Sequence, residues 1–236
     1  MSYPWASVYA KITPEQSAKM DELATLFREW NERLNLVSRK DIDALEVHHL
    51  THSLLIASIV DFPPRIRVLD VGTGGGLPGL PLAICFPEVQ FFLCDSVEKK
   101  TKAVQAMVEA LGLKNVSVIN KRAESLESKW DFILGRAVSP LPKFLGWITK
   151  NLRPGGSEAL PQGVLYLKGT LYREELADLG IEPFQVHDLG ALSGNDYFED
   201  KFLLHLEAGA LQKAEAKRLA ALPPPKKKKK KRKGRF

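Results

Sequence analysis

The chain contains the segment Val68-Leu69-Asp70-Val71-Gly72-Thr73-Gly74-Gly75-Gly76-Leu77-Pro78-Gly79. This glycine-rich turn follows the short apolar run 66–71 and precedes a helical pattern, which is the context of a cofactor-binding turn at the carboxyl end of a sheet strand. Glycine lets the backbone turn sharply and approach a ligand with no Cβ in the way. The segment therefore predicts a nucleotide-binding turn.

The glycines fit two cofactor motifs. In one frame, Gly74-x-Gly76-x-x-Gly79 matches the dinucleotide fingerprint, which alone is a weak signal. In the other frame, Asp70 precedes alternate glycines at 72, 74 and 76, as in the signature of class I S-adenosylmethionine methyltransferases. Asp70 favours this second frame, because a carboxylate would repel a pyrophosphate but could order the turn and face the methionine amino group. The segment therefore predicts S-adenosyl-L-methionine as cofactor, with an NAD-linked oxidoreductase as the alternative.

Two later segments also point to a nucleoside cofactor. Asp95 ends the next predicted strand at a distance from Gly72 close to the spacing of about 20 residues at which an acidic residue accepts ribose hydroxyls. That spacing suits NAD and S-adenosylmethionine alike, and an aspartate at a strand end is also a common helix cap. Ala123 and Glu124 follow the third predicted strand, where the backbone and the carboxylate would lie near an adenine.

The remaining pattern alternates strands and helices. Strands are expected at 66–71, 91–94, 116–119, 132–134 and 164–167, and helices at 97–111 and 140–152. Strands spaced by single helices predict right-handed crossovers and a doubly wound, mainly parallel sheet covered on both faces. A last strand pair is expected at 183–187 and 201–206. The fold class is therefore α/β, a class I methyltransferase of the Rossmann-like type.

The chain is expected to comprise four segments. An N-terminal helical extension covers 1–64, with a helix capped by Thr13, Pro14 and Gln16 and a second helix at 42–60. The methyltransferase domain covers 65–208, and a C-terminal helix covers 209–222. Residues 223–236 form a Pro/Lys-rich basic tail that is expected to be disordered.

Composition narrows the classes of function. The sequence contains no run of 18 apolar residues, so no transmembrane helix is expected. The first ten residues lack the pattern of a secretory signal. Cys85 and Cys94 lie in apolar runs without metal-ligand spacing, which predicts buried, reduced thiols in a cytoplasmic protein and no metal site.

The net charge of the chain is unevenly distributed. Residues 226–235 hold nine basic and no acidic residues, so that the rest of the chain carries −3 although the whole carries +6. A basic tail would attract a phosphate backbone without sequence preference. A noncatalytic RNA-binding or assembly protein is therefore the second alternative.

The sequence from Trp30 to Leu206 resembles the ribosomal RNA small-subunit methyltransferase G family, also called GidB. Besides the glycine-rich turn, the resemblance is carried by Trp30-Asn31-x-x-Leu34-Asn35-Leu36, His49 before Ser53-Leu54, Asp95-Ser96, Lys99-Lys100, Arg122-Ala123-Glu124, Arg136-Ala137 and Lys168-Gly169. The chain departs from the family at His52, where many members have Asp, at Gly135, where many have Ser, and in its Lys-rich tail.

The resemblance implies methyl transfer from S-adenosylmethionine to N7 of one guanosine in 16S ribosomal RNA, in the decoding region. The partner would be this RNA or the small ribosomal subunit, with no membrane, and the chain is expected to be a monomer. The implied cofactor contacts are Gly72, Leu77, Ala123, Glu124 and Arg136, to which the motif and the strand end add Asp70, Gly74, Gly76 and Asp95. The implied basic residues of the RNA-facing cleft, our candidate catalytic residues, are Lys99, Arg122, Arg136 and Lys168.

The chemistry of guanine N7 predicts an active site without a general base. N7 already carries an in-plane lone pair, so the expected reaction is an in-line displacement in which the enzyme positions the base against the sulfonium methyl. The product base gains positive charge, so a strong positive potential beside N7 would hinder the reaction. Lys99, Arg122 and Lys168 are therefore expected mainly at phosphates, and secondarily at guanine O6. His49 is expected to be a packed or hydrogen-bonded helix residue.

Overall fold

A seven-stranded sheet forms the centre of the computed structural model, which describes residues 3–221. The strands are β1 Arg67–Val71, β2 Gln90–Asp95, β3 Val116–Asn120, β4 Phe132–Arg136, β5 Gly163–Gly169, β6 Gln185–Asp188 and β7 Lys201–Glu207. Their order is β3-β2-β1-β4-β5-β7-β6. Strands β1 to β5 pair in parallel, and β7 runs antiparallel to β5 and β6. The predicted doubly wound α/β fold is confirmed.

The α-helices are α1 Trp5–Val8, α2 Pro14–Leu34, α3 His52–Ile59, α4 Gly79–Cys85, α5 Glu98–Ala110, α6 Leu141–Ile148, α7 Tyr172–Leu179, α8 Leu189–Ser193 and α9 Ala208–Ala220. Helix α2 begins with the predicted capping box, in which Thr13 and Gln16 exchange side-chain and backbone hydrogen bonds. Helices α7 and α8 were not predicted, because their short apolar pattern lies between stronger strand signals. No described helix has the length and apolar character needed to cross a membrane.

Both faces of the sheet are covered, because successive side chains of the apolar strands point to opposite sides. Val68 joins the larger core, together with Phe27 and Leu54 from the N-terminal helices. Its neighbour Leu69 joins the second core, with Phe144 from α6. The N-terminal helices thus share a core with the sheet.

The expected single helix at 42–60 is wrong in detail. The chain forms a 3₁₀ turn at Ile42–Ala44, a π-helix at Glu46–Thr51 and then α3. The apolar period that predicted a helix cannot distinguish these hydrogen-bond patterns. π-helical turns are rare and occur frequently at functional sites, and this one carries His48 and His49.

The basic tail from Pro223 to Phe236 lies outside the described residues. Cys85 and Cys94 are buried free thiols, as expected. Burial raises the pKa of Cys85 to about 12 and that of Cys94 to about 11.

Candidate active site

The glycine-rich turn begins where β1 ends, beside the ends of β2 and β4. Val71 pairs with Cys94 on one side and with Gly135 on the other. Gly72, Gly74 and Gly76 have φ angles of 67°, 58° and 91°, a region that L side chains rarely adopt. The alternation of glycines therefore follows from the backbone path of the turn.

Asp70 holds this turn from beneath. Its carboxylate is buried, and Oδ2 accepts hydrogen bonds from the Thr73 hydroxyl at 2.7 Å and the Gly79 backbone N–H at 3.0 Å. Burial raises the pKa of Asp70 to about 6. Oδ1 is buried with no hydrogen-bond partner among residues 3–221. The two hydrogen bonds to Oδ2 explain how Asp70 can order the turn, as predicted. A ligand could bond directly to the unpaired Oδ1 only if that buried oxygen became accessible.

Asp95 connects the turn with the start of α5. Its Oδ2 accepts from the Gly74 N–H at 3.0 Å, and its Oδ1 accepts from the Val97 N–H at 2.8 Å. The N-cap of α5 is Val97, without a side-chain cap, so Asp95 stabilises the turn before the helix and is not its cap. A carboxylate oxygen has two lone pairs, so each oxygen can accept a further hydrogen bond from a ribose hydroxyl.

A cleft with two lobes opens on either side of Gly72. The Asp95 lobe has a volume of about 300 Å³ and is lined by residues that include Asp95, Arg122, Ala123, Glu124 and Trp147. The His49 lobe has a volume of about 380 Å³ and is lined by residues that include Phe27, His49, His52, Gly74, Leu77, Arg136 and Tyr197. Gly72, Lys100 and Ala137 line both lobes, so the lobes adjoin at the turn.

The His49 lobe combines one guanidinium with two neutral imidazoles. Nη1 of Arg136 lies 3.1 Å from Nδ1 of His49. Burial, and then the charge of Arg136, lower the pKa of His49 to about 4 and that of His52 to about 3. Of these three side chains, Arg136 therefore carries the positive charge at neutral pH, and it interacts electrostatically with the Asp70 carboxylate. The second cation that lines this lobe is Lys100.

Four predicted basic residues have different surroundings. Arg122 lines the Asp95 lobe with a side chain that is 75% exposed, and Arg136 lines the His49 lobe. Lys99 is exposed on α5 but lines neither lobe, whereas its neighbour Lys100 lines both. Lys168 also lies outside both lobes, and its Nζ is 2.8 Å from a carboxylate oxygen of Glu175. The structure thus brings two of the four to the cleft.

Among the predicted cofactor residues, Gly72, Gly74, Leu77, Asp95, Ala123, Glu124 and Arg136 line the cleft. Gly76 serves packing instead, since a Cβ there would lie 2.4 Å from Leu80.

Three cleft residues were not predicted from the sequence, namely Lys100, Tyr197 and Trp147. The Lys99-Lys100 motif held a signal for Lys100, but choosing between neighbours requires knowing how α5 is rotated. Tyr197 comes from a distant 3₁₀ turn, Asp196–Phe198, and carried no signal.

The sequence matches the family model described as rRNA small subunit methyltransferase G over residues 16–190. It is 44% identical over 198 residues to ribosomal RNA small subunit methyltransferase G of Flavobacterium johnsoniae, covering 84% of this chain and 94% of that protein. The protein of the same name from Porphyromonas gingivalis is 40% identical over 203 residues, with coverages of 84% and 90%.

Solved structures share the fold at low sequence identity. A SAM-dependent methyltransferase from Aquifex aeolicus superposes with a TM-score of 0.52 at 19% identity, over 71% of this chain and 97% of that one. A chain of a fibrillarin/Nop5p complex superposes with a TM-score of 0.51 at 13% identity, over 67% and 79%. These likenesses support the class I methyltransferase fold.

Proposed function

The chain belongs to the rRNA small subunit methyltransferase G family, and we propose that it transfers a methyl group from S-adenosylmethionine to N7 of a guanosine in 16S ribosomal RNA. It is an S-adenosylmethionine-dependent methyltransferase. The observation that carries the proposal is the two-lobed cleft, which places a nucleoside-sized space and a second space on opposite sides of one glycine turn.

The residues of the cleft fit the cofactor. Asp95 would accept its ribose hydroxyls, and Ala123 and Glu124 would lie at the adenine. Gly72 would let the backbone approach the methionine end, where Asp70 contributes negative charge from beneath the turn. When bound, S-adenosylmethionine supplies an electrophilic methyl group on a sulfonium. A Cβ at position 72 would lie 2.9 Å from Val138, which lines the Asp95 lobe, so a side chain there would crowd this space.

The acceptor base would enter the His49 lobe, because the nucleoside occupies the other lobe. N7 needs no proton removed, so the chain's task is to hold the base in line with the methyl group. The neutral His49 and His52 suit this task, since they add no positive charge beside a base that becomes cationic. Arg136 would contribute to both the cofactor and the acceptor sides.

RNA phosphates would meet the exposed cations around the cleft. Arg122 and Lys99 are both exposed, which makes them the stronger candidates from the predicted set. Arg122 lies 3.9 Å from Glu124, but this ion pair is open to solvent and therefore weak, so the guanidinium stays available to a phosphate. Lys168 is the weaker candidate, because Glu175 already compensates its charge. We further propose that the chain is a cytoplasmic monomer.

The proposal is tested by incubating the full chain with methyl-labelled S-adenosylmethionine and either 16S ribosomal RNA or small ribosomal subunits, followed by mapping of the label. The expected result is N7-methylguanosine at one position. Label at another atom, or no label while S-adenosylhomocysteine binds, would overturn the proposal. A thermal-shift comparison of S-adenosylhomocysteine with NAD tests the cofactor separately, and light scattering tests the monomer.

A further inference from the structure

The contact with Arg136 determines which nitrogen of His49 carries the proton. A guanidinium has only donors, so Nδ1 of His49, 3.1 Å from Nη1 of Arg136, must accept the hydrogen bond. The lowered pKa of His49, about 4, keeps the ring neutral at neutral pH. A neutral imidazole that accepts at Nδ1 carries its proton on Nε2. His49 therefore offers a hydrogen-bond donor at Nε2.

This donor lacks an acceptor within the described part of the chain. Nε2 of His49 is buried and makes no hydrogen bond. Native proteins rarely leave a buried donor unpaired, because it loses its bonds to water without replacing them. Asp70, whose Oδ1 is likewise buried and unpaired, lines neither lobe, whereas His49 lines the lobe next to Gly72. The missing acceptor of His49 is therefore expected on a molecule that packs against this wall of the lobe.

The neighbouring rings differ from His49 in this respect. His48 has its Nδ1 3.3 Å from Asp41 and stacks on Tyr197 at a centroid distance of 3.7 Å. His52 also has an unpaired Nε2, but no described contact decides which of its nitrogens is protonated. The Asp41 carboxylate can only accept, so the Nδ1 donor of His48 is already paired. Of these three histidines, His49 is thus the one whose contacts both fix the protonated nitrogen and leave that donor unpaired.

Guanine and adenine differ at the position next to N7. Guanine has the O6 acceptor there, and adenine has an amino group that donates. A hydrogen bond to O6 leaves the N7 lone pair free for the methyl group. We propose that the Nε2–H of His49 donates to O6 of the target guanine, and that His49 thereby selects guanine against adenine. This inference rests on the proposed function.

Two substitutions test the roles of the two ring nitrogens of His49 one at a time. In His49→Asn, the amide oxygen stands near the place of Nδ1, so the acceptor for Arg136 is kept and the donor is lost. In His49→Gln, the terminal amide reaches the place of Nε2, so a donor is kept and the acceptor is lost. His187→Asn, on the edge strand β6, is the matched control.

Calorimetry with S-adenosylhomocysteine and single-turnover methylation of RNA give the two readouts. We expect His49→Asn to bind S-adenosylhomocysteine within about threefold of the native chain, and to methylate guanosine about 10- to 100-fold more slowly. His49→Gln should retain more of the methylation rate than His49→Asn. Loss of S-adenosylhomocysteine binding in both variants would overturn the inference, because His49 would then act on the cofactor through Arg136.

A modified substrate tests the O6 contact directly. RNA carrying 2-aminopurine at the mapped position keeps N7 but lacks O6, whereas inosine keeps both. The native chain should discriminate against 2-aminopurine by about 10- to 100-fold and accept inosine, and His49→Asn should lose most of this discrimination. Equal discrimination by the native chain and His49→Asn would overturn the inference while leaving the proposed function intact. Absence of methylation by the native chain on guanosine would overturn both.

Discussion

Replacing Lys168 with Met should reduce stability and leave the salt dependence of RNA binding almost unchanged. Nζ of Lys168 lies 2.8 Å from Glu175, and the two side chains are 15% and 19% exposed. Glu175 Oε2 also accepts from the backbone N–H of Leu141 at 2.7 Å. The pair therefore joins the end of β5 to the first residue of α6, directly after the loop that follows Arg136 at the end of β4.

The expected magnitudes follow from this pairing. A lysine that neutralises one phosphate contributes about 0.9 to the slope of log K against log salt for a duplex, and about 0.7 for a single strand. Because Glu175 already compensates Lys168, we expect the slope to change by less than about 0.3. Met keeps much of the aliphatic packing but removes the cation beside a largely buried carboxylate, which keeps only its hydrogen bond from the Leu141 N–H. This loss should lower the free energy of unfolding by about 1–3 kcal/mol.

Urea denaturation of Lys168→Met, Glu175→Gln and the double variant should give a coupling energy of about 1–2 kcal/mol. Fluorescence anisotropy with an RNA fragment, from about 50 to 200 mM salt, measures the slope. Arg122→Met is the comparison, since that exposed side chain should lower the slope by about 0.7–0.9. If Lys168→Met lowers the slope as Arg122→Met does and unfolds at the native urea concentration, Lys168 contacts phosphate and the reasoning is refuted.

Three further changes test the turn and the first long helix. Gly72→Ala should weaken S-adenosylhomocysteine binding at least about 10-fold by calorimetry, because of the positive φ of Gly72 and the contact of its Cβ with Val138. Gly112→Ala is the control for backbone strain, because Gly112 has a similar φ of 63° and open surroundings. Equal affinity of the two variants for S-adenosylhomocysteine would contradict this account. Asp70 has a folded pKa of about 6, above its ordinary 3.8, so its protonation stabilises the free chain by up to about 3 kcal/mol below pH 4, and this contribution is lost as pH rises through 6. Asp70→Asn should flatten that part of the stability curve in urea titrations, and an unchanged curve would remove Asp70 as its cause. Thr13→Ala should lower the free energy of unfolding by about 1 kcal/mol without altering S-adenosylhomocysteine affinity, and a reduced affinity would show that the cap also supports the cleft.

The local features of this chain were predictable because their causes are local. The capping box of α2 needs only Thr13 and Gln16 at the right spacing. The turn after β1 needs glycines where the backbone is left-handed, and its motif also indicated the cofactor. Apolar runs separated by helical periods were sufficient for the parallel sheet, since such connections allow few topologies.

The tertiary structure decided which side chains meet. Arg136 and His49 are 87 positions apart, and no periodicity relates them. Lys168 was predicted at a phosphate, and the structure places it beside Glu175, on an unpredicted helix. Lys100 takes the cleft position expected for Lys99 because the rotation of α5 is set by packing against the sheet. A sequence records the chemistry of each group, but the protonated nitrogen of His49 and the free or compensated state of a lysine depend on neighbours that only folding brings near.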